Sequence, residues 1–226
     1  KIGIISTGDE IVAPDEIPMP GQIRDVNTYA LAAQVAQFGG IPICYGIVKD
    51  VAAQLSQVLA KALAETDMVL VSGGSSVGTR DMTAQVLSEG KPGILFHGIA
   101  IKPGKPTLGA FIRDKLVIGL PGHPASAMVV FQALVMPLLE WGSYSKAAAK
   151  TDFPVQAELS HSLSSGPGRE DYVRVKLEKN GEKLLATPVL GKSGLISTLV
   201  EATGMIRIPL AKEGLNGGSQ VAVSKL

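Results

Sequence analysis

Apolar residues fall along this chain in two rhythms, and the change of rhythm divides it. Through the first 145 positions, short apolar runs alternate with stretches of helical spacing. Ile2–Ser6 reads as a short buried strand, followed by a loop rich in proline and acidic residues from Thr7 to Arg24. Asn27 or Thr28 can cap a helix through Phe38, which Gly39-Gly40 ends. Ile41–Val48 reads as the next strand, and Asp50 opens a second helix with Leu55, Val58, Leu59, Ala62 and Leu63 at helical spacing. Met68–Val71 is wholly apolar, the pattern of a central parallel strand. A glycine-rich loop, Gly73 to Asp81, leads into a helix from Met82 to Glu89. Ile94–Ile101, Thr107–Ile112 and Leu116–Leu120 read as further strands. Pro121-Gly122-His123-Pro124 then opens a long apolar helix ending near Trp141. Such strand–helix alternation implies an α/β fold in three layers, α/β/α, around a mostly parallel sheet.

The texture changes after Gly142. Ser143 to Thr151 is small, polar and rich in Lys and Ala, as linkers are. Beyond it Tyr172–Leu177 alternates, and Asn180-Gly181 signals a hairpin turn before Leu184-Leu185. Ile196–Val200, Met205–Ile208 and Val221–Val223 complete a small all-β, barrel-like unit. The expected domains are therefore 1–145, α/β, and 151–226, all-β.

Composition narrows the function. With 46% hydrophobic and 18% charged residues and a formal net charge of +1, the chain reads as soluble and globular. Nothing global points to nucleic acid or an anionic membrane. The lone Cys44 excludes an intrachain disulfide framework and a cysteine-rich zinc site, and its apolar surroundings predict a small buried hydrophobe. His97, His123 and His161 show no metal-ligand spacing. The apolar run Ala125 to Trp141 contains Gln132, Pro137 and Glu140, which favours a core helix over a membrane span. No signal-peptide pattern precedes the first strand, so a cytoplasmic protein is expected. The first residue is Lys rather than Met, so a piece of a longer protein is expected.

In open parallel sheets ligands collect at the carboxyl ends of the strands, beside a switch in strand order. Thr7–Glu10, Lys49-Asp50, Gly73–Asp81, Lys102–Pro106 and Pro121–Pro124 each follow a predicted strand, and all five are expected on one rim. The loop from Gly73 and Gly74 through Ser76 and Gly78 can turn backbone N–H groups toward an anion, or simply make a tight turn. It has neither P-loop nor dinucleotide spacing. Two prolines and a glycine keep Lys102 and Lys105 on a stiff non-helical loop, where paired ammonium groups suit a phosphate or oxyanion; a solvated surface loop is the alternative. Glu10, Asp50 and Asp81 end three consecutive strands and suit Mg²⁺ beside a phosphate. Asp50 and Asp81 also stand where helix caps belong. Pro124 pre-sets a helical turn, Gly122 permits close backbone approach, and the helix start adds partial positive charge. His123 is either a general acid or base, or a turn residue.

Together these segments resemble the molybdopterin molybdenumtransferase family, to which the E domain of gephyrin also belongs. The resemblance rests on Ser6-Thr7-Gly8-Asp9-Glu10, Gly21-Gln22-Ile23-Arg24-Asp25, Ser72-Gly73-Gly74 with Ser76-Val77-Gly78 and Asp81, Ile101–Pro106, and Gly119-Leu120-Pro121-Gly122 with Pro124 and Ser126-Ala127. Residues 151–226 match more loosely, through Lys192-Ser193-Gly194 and Gly204-Met205-Ile206. The resemblance implies a molybdenum cofactor biosynthesis fold, and a transferase acting on adenylylated molybdopterin and molybdate to release molybdenum cofactor and AMP. It implies Mg²⁺ or another divalent metal at Glu10, Asp50 and Asp81, and an oxyanion at Lys102 and Lys105. Thr7, Gly73, Gly74, Ser76, Gly78, Pro121, Gly122 and Pro124 would shape the substrate pocket, and Ser193 would reach in from the β-domain. His123 stands where the family commonly has Asn, and Gly98 where it often has a basic residue. The family's two N-terminal domains, which contribute to dimerisation and complete the active site, are not in this sequence. A homodimeric parent is implied, and weak turnover for the fragment. The rival readings are the related molybdopterin adenylyltransferase, against which the Lys-Pro-Gly-Lys-Pro loop and the β-domain argue, and a non-catalytic binding or scaffolding module.

Overall fold

The structure, a computed structural model, describes residues 1–73, 82–142 and 154–225. It divides into two compact units, the first comprising Lys1–Ile99 and Pro106–Ala148, the second Ala100–Lys105 and Ala149–Leu226. In chain order the elements are β1 (Ile2–Thr7), β2 (Ile11–Val12), β3 (Ile23–Arg24), α1 (Asn27–Gln37), β4 (Pro42–Val48), α2 (Ala52–Glu65), β5 (Met68–Ser72), α3 (Met82–Ser88) and β6 (Pro92–His97). The chain then enters the second unit for β7 (Ile101–Lys102). It returns for β8 (Leu108–Ile112), β9 (Lys115–Leu120), α4 (Pro124–Val130), a π-helical turn at Phe131–Val135 and α5 (Met136–Gly142).

The first unit is built on a six-stranded sheet in the order β4-β1-β5-β9-β8-β6. The four strands β4, β1, β5 and β9 are parallel, while β8 and β6 are each antiparallel to their neighbour. Alternation along the central strands sorts their side chains into two layers. Ile5, Val69, Val71 and Val117 pack with Leu55, Leu59 and Leu63 of α2 and Val86 and Leu87 of α3. Their neighbours Ile4, Leu70 and Ile118 are equally buried but lie outside that cluster, while α1 packs on β1, β4 and α4. Those alternate residues supply the other face, giving the three layers that the sequence implies.

The second unit adds β10 (Val155–Leu159), β11 (Leu163–Ser164), β12 (Glu170–Asn180), β13 (Lys183–Pro188), α6 (Ser197–Glu201), β14 (Gly204–Ile208), β15 (Gly214–Leu215) and β16 (Gln220–Lys225). The strands run β13-β10-β16-β14-β12, and the β12–β13 pairing closes a small five-stranded barrel that leaves no free edge between them. Ala157, Leu159, Val175, Ala186, Ile206, Val221 and Val223 fill it. The β12–β13 hairpin turns at Asn180-Gly181, with Asn180 opposite Lys183.

Four expectations need correction. The strand expected over Ile94–Ile101 ends at His97, and Ile101-Lys102 instead pairs in parallel with Glu170-Asp171 of β12. The segment 196–200 is helical rather than a strand: Val200 N–H donates to the Ile196 carbonyl, and Ile196 and Val200 are left exposed rather than packed in a sheet. The long helix from Pro124 runs to Gly142 as expected, with a π-helical turn at Phe131–Val135 within it. Asp50 does not cap α2, which starts after Val51 with no side-chain cap. Cys44 is exposed, because β4 is an edge strand of the sheet.

Candidate functional site

The ends of the parallel strands β1, β5 and β9 carry Thr7, Ser72-Gly73 and Pro121-Gly122-His123, and these line a cavity of about 420 Å³ together with Glu10 and Asn27. Its tightness follows from one glycine. Gly73 has φ +115°, and a β-carbon there would collide with the Thr7 carbonyl oxygen. Only glycine lets β5 turn away so close to the end of β1. Gly122 is under no such constraint, since a β-carbon on it would meet Gly73 Cα at 3.6 Å, an ordinary contact.

The polar side chains are arranged by α1. Neither Asn27 nor Thr28 caps that helix; Asp25, two residues upstream of the first helical position, does the work of a cap. Its Oδ1 accepts from the Thr28 backbone N–H at 3.1 Å and its Oδ2 from Thr28 Oγ1 at 2.6 Å. Asn27 is thereby released to bridge two other segments. Its Nδ2 donates to Ser72 Oγ at 2.7 Å and to the Gly122 carbonyl at 2.8 Å. Because a carbonyl oxygen can only accept, the amide nitrogen must face Gly122, and Oδ1 points elsewhere. Asn27 Oδ1 and Thr7 Oγ1 are both buried without a hydrogen-bond partner.

Carboxylates gather beside this cavity. Glu10 is placed by its own backbone, whose carbonyl accepts from Ile23 N–H at 2.8 Å. Asp50 N–H donates to Asp9 Oδ1 at 3.1 Å, and Lys49 Nζ donates to the Asp9 carbonyl at 3.1 Å. Burial first, and then the charges of Asp9 and Glu10, push the Asp50 carboxyl above its ordinary range. Asp9 was not singled out in the sequence, although its place next to Glu10 is the signal that could have found it. Among the described residues no group of three or more His, Cys, Asp or Glu side chains is placed to hold a metal. Asp81, Gly74, Ser76 and Gly78 lie outside the described residues. Pro124 occupies the first turn of α4.

Lys102 and Lys105 belong to the second unit, not to a loop following a strand of the α/β sheet. There Lys102, Pro103, Asp171, Arg174, Lys192 and Ser193 line a pocket of about 390 Å³. The parallel register sets Lys102 opposite Asp171, whose buried carboxylate lies 3.8 Å from Lys102 Nζ and 2.9 Å from Arg169 Nε. Lys105 is exposed and is not part of this lining. Arg174 was overlooked because alternation assigns it to the solvent side of β12. It is nevertheless buried at 7% exposure and donates to the Gly191 carbonyl at 3.2 Å. Its Nε has no partner, and burial pulls its pKa below the usual arginine value. A guanidinium in that condition attracts an anion.

Residues 3–141 match the family described as a probable molybdopterin binding domain, and residues 156–226 match the MoeA C-terminal region (domain IV). The chain belongs to the molybdopterin molybdenumtransferase family. Members similar to it include a molybdopterin molybdenumtransferase of Nostoc sp., 34% identical over 100% of this chain and 53% of the relative. A putative molybdopterin biosynthesis protein of Methanocaldococcus jannaschii is also 34% identical, over 99% of this chain and 54% of its own length. Among solved structures, a molybdopterin biosynthesis protein of Pyrococcus superposes with a TM-score of 0.84 at 37% identity, covering 99% of this chain and 54% of that one. The chain spans about half the length of the curated relatives it matches. Within the molybdopterin molybdenumtransferase family it therefore corresponds to an α/β unit followed by a barrel.

Proposed function

We propose that this chain carries the catalytic α/β unit and C-terminal barrel of a molybdopterin molybdenumtransferase. In this reading it takes adenylylated molybdopterin and molybdate and releases molybdenum cofactor and AMP. The observation that carries the reading is the buried Arg174 Nε with no partner, in a pocket it shares with Lys102 and Ser193. Fixed cationic donors in a partly desolvated pocket suit a compact oxyanion, and molybdate is the oxyanion that this family's reaction requires. Lys102 would neutralise it and Ser193 would add a hydroxyl; Lys105, exposed on the neighbouring turn, would attract it by charge.

In the α/β unit, Glu10 and Asp50, with Asp81, would hold a divalent cation beside the phosphates of the adenylylated substrate. One or two carboxylates, with water and a ligand phosphate, are what Mg²⁺ takes. A bound cation would also relieve the repulsion that raises Asp50. It would supply Lewis acidity to the phosphoanhydride. Thr7, Gly73, Pro121 and Gly122 line the cavity around the substrate, and Gly74, Ser76, Gly78 and Pro124 would add further substrate contacts. The working form is a homodimer in the cytoplasm, acting on small molecules rather than on nucleic acid or membranes.

The test is metal-dependent AMP release from adenylylated molybdopterin by the intact protein. Asp81→Ala should abolish it, and Lys102→Ala should raise the molybdate concentration needed for half-saturation. Unchanged release in the first variant, or an unaltered molybdate dependence in the second, would reject the assigned roles. Production of adenylylated pterin from molybdopterin and ATP would point to the adenylyltransferase instead.

A further inference from the structure

The cavity at the ends of β1, β5 and β9 contains an acceptor that the fold has set in place and left unused. Asn27 is 7% exposed and Thr7 is 1% exposed, yet Asn27 Oδ1 and Thr7 Oγ1 have no hydrogen-bond partner among the described residues. Leaving a buried polar atom unpaired forfeits its hydration with nothing in return, so such atoms are rare unless something else engages them. Asn27 is not free to turn and solve the problem itself. Ser72 Oγ and the Gly122 carbonyl both take its Nδ2, and the carbonyl cannot exchange roles. Oδ1 is therefore fixed as an acceptor on the cavity wall. Thr7, which lines the same cavity, has an Oγ1 that can either donate or accept.

The rest of the wall decides what kind of donor fits. Ile11, Ile23 and Pro121 give apolar surface, and the cavity holds about 420 Å³. Apolar surface set among fixed polar side chains, Asn27 and Thr7 included, suits a heteroaromatic ring with hydrogen-bonding groups on its edge. We infer that Asn27 is a specificity-determining residue of this cavity. Its Oδ1 accepts a hydrogen bond from the amino or ring N–H edge of an amino-substituted nitrogen heterocycle, with Thr7 Oγ1 as the second contact. This rests on the function proposed above only for its choice of rings. A pterin and the adenine of an adenylate both carry such an edge, and the experiment separates them.

Two probe pairs are titrated calorimetrically into the intact protein, Asn27→Leu and Ser72→Ala. The first is AMP against purine riboside 5′-monophosphate, which lacks the amino group. The second is 6-methylpterin against 6-methylpteridine, which has no donor on that edge. In the unchanged protein one pair should differ by roughly tenfold in Kd, the size of one hydrogen bond to an otherwise unpaired buried acceptor. The pair that differs identifies the ring. Asn27→Leu should bring that ratio close to one, while Ser72→Ala, which leaves the Gly122 bond to hold the amide, should retain it.

Equal affinities for both pairs in the unchanged protein overturn the inference whether or not Asn27→Leu folds. A ratio that persists in a folded Asn27→Leu protein overturns it as well. AMP release is assayed on the same preparations. Release without discrimination sinks this inference and leaves the proposed function standing, whereas discrimination without release does the reverse.

Discussion

Asn27 Nδ2 donates to the Gly122 carbonyl at 2.8 Å, tying the first turn of α1 to the turn that precedes α4 across 95 residues of sequence. The same nitrogen holds Ser72 Oγ, so three segments of the cavity wall meet at one amide. Asn27→Ala removes both bonds and leaves two buried acceptors without their donor. The expected loss is about 2–4 kcal/mol, read as a lower denaturant midpoint with an unchanged slope. A loss under about 0.5 kcal/mol would show that the bridge does not hold the wall together.

Gly73 is the least replaceable position at that wall. Alanine there would drive its β-carbon into the Thr7 carbonyl oxygen, at a φ of +115° that side chains rarely adopt. The end of β5 must move, and the expected destabilisation exceeds about 3 kcal/mol. Thermal unfolding reports it, and a Gly73→Ala protein as stable as its parent contradicts the geometry.

Asp50 gives a pH dependence with a definite sign. Its carboxyl titrates above its ordinary value of 3.8, so the folded chain holds that proton more tightly than the unfolded one. The resulting stabilisation is complete below the ordinary value and is lost as pH rises through the raised one. Asp50→Asn mimics the protonated form. Without added divalent cation, its unfolding midpoint at neutral pH should exceed the parent's, and the two should converge in acid. A parent whose advantage grows with pH would invert this reading.

In the barrel, Asp171 balances two cations. Its side chain is 6% exposed, against 40% for Arg169 and 60% for Lys102. Asp171→Asn keeps the shape and removes the charge. Both partners retain solvent, so the expected loss is about 1–2 kcal/mol rather than that of a fully buried pair. Chemical denaturation at low and high salt measures it, and a loss larger at low salt identifies the charge as the cause.

Arg174→Lys keeps a positive charge and removes the unpaired Nε. If a planar donor is what the pocket offers, the oxyanion concentration for half-saturation should rise roughly tenfold. An unchanged value would assign the binding to charge alone.

Much of the frame was legible because its residues obey short-range rules. The apolar run Met68–Val71 could hardly be other than a central strand, and Asn180-Gly181 could hardly be other than a hairpin turn. Where two forces competed, the sequence misled. Ile196–Val200 has strand composition but folds as a helix. Asn27 looks like a cap until Asp25 is seen holding Thr28. Arg174 looks solvated until the Gly191 segment covers it.

By itself the sequence determined most of the element types, the family motifs and the set of reactive side chains. Periodicity, turn chemistry and residue identity are local properties. Only the tertiary structure decided how those side chains are used. It joined Lys102 to Asp171 through β-pairing, brought Gly73 within reach of Thr7, and turned Asn27 into a bridge whose oxygen is left unpaired. Those relationships depend on which distant backbones come into register, and burial then makes every unpaired atom count. Neither is written in the spacing of residues along the chain.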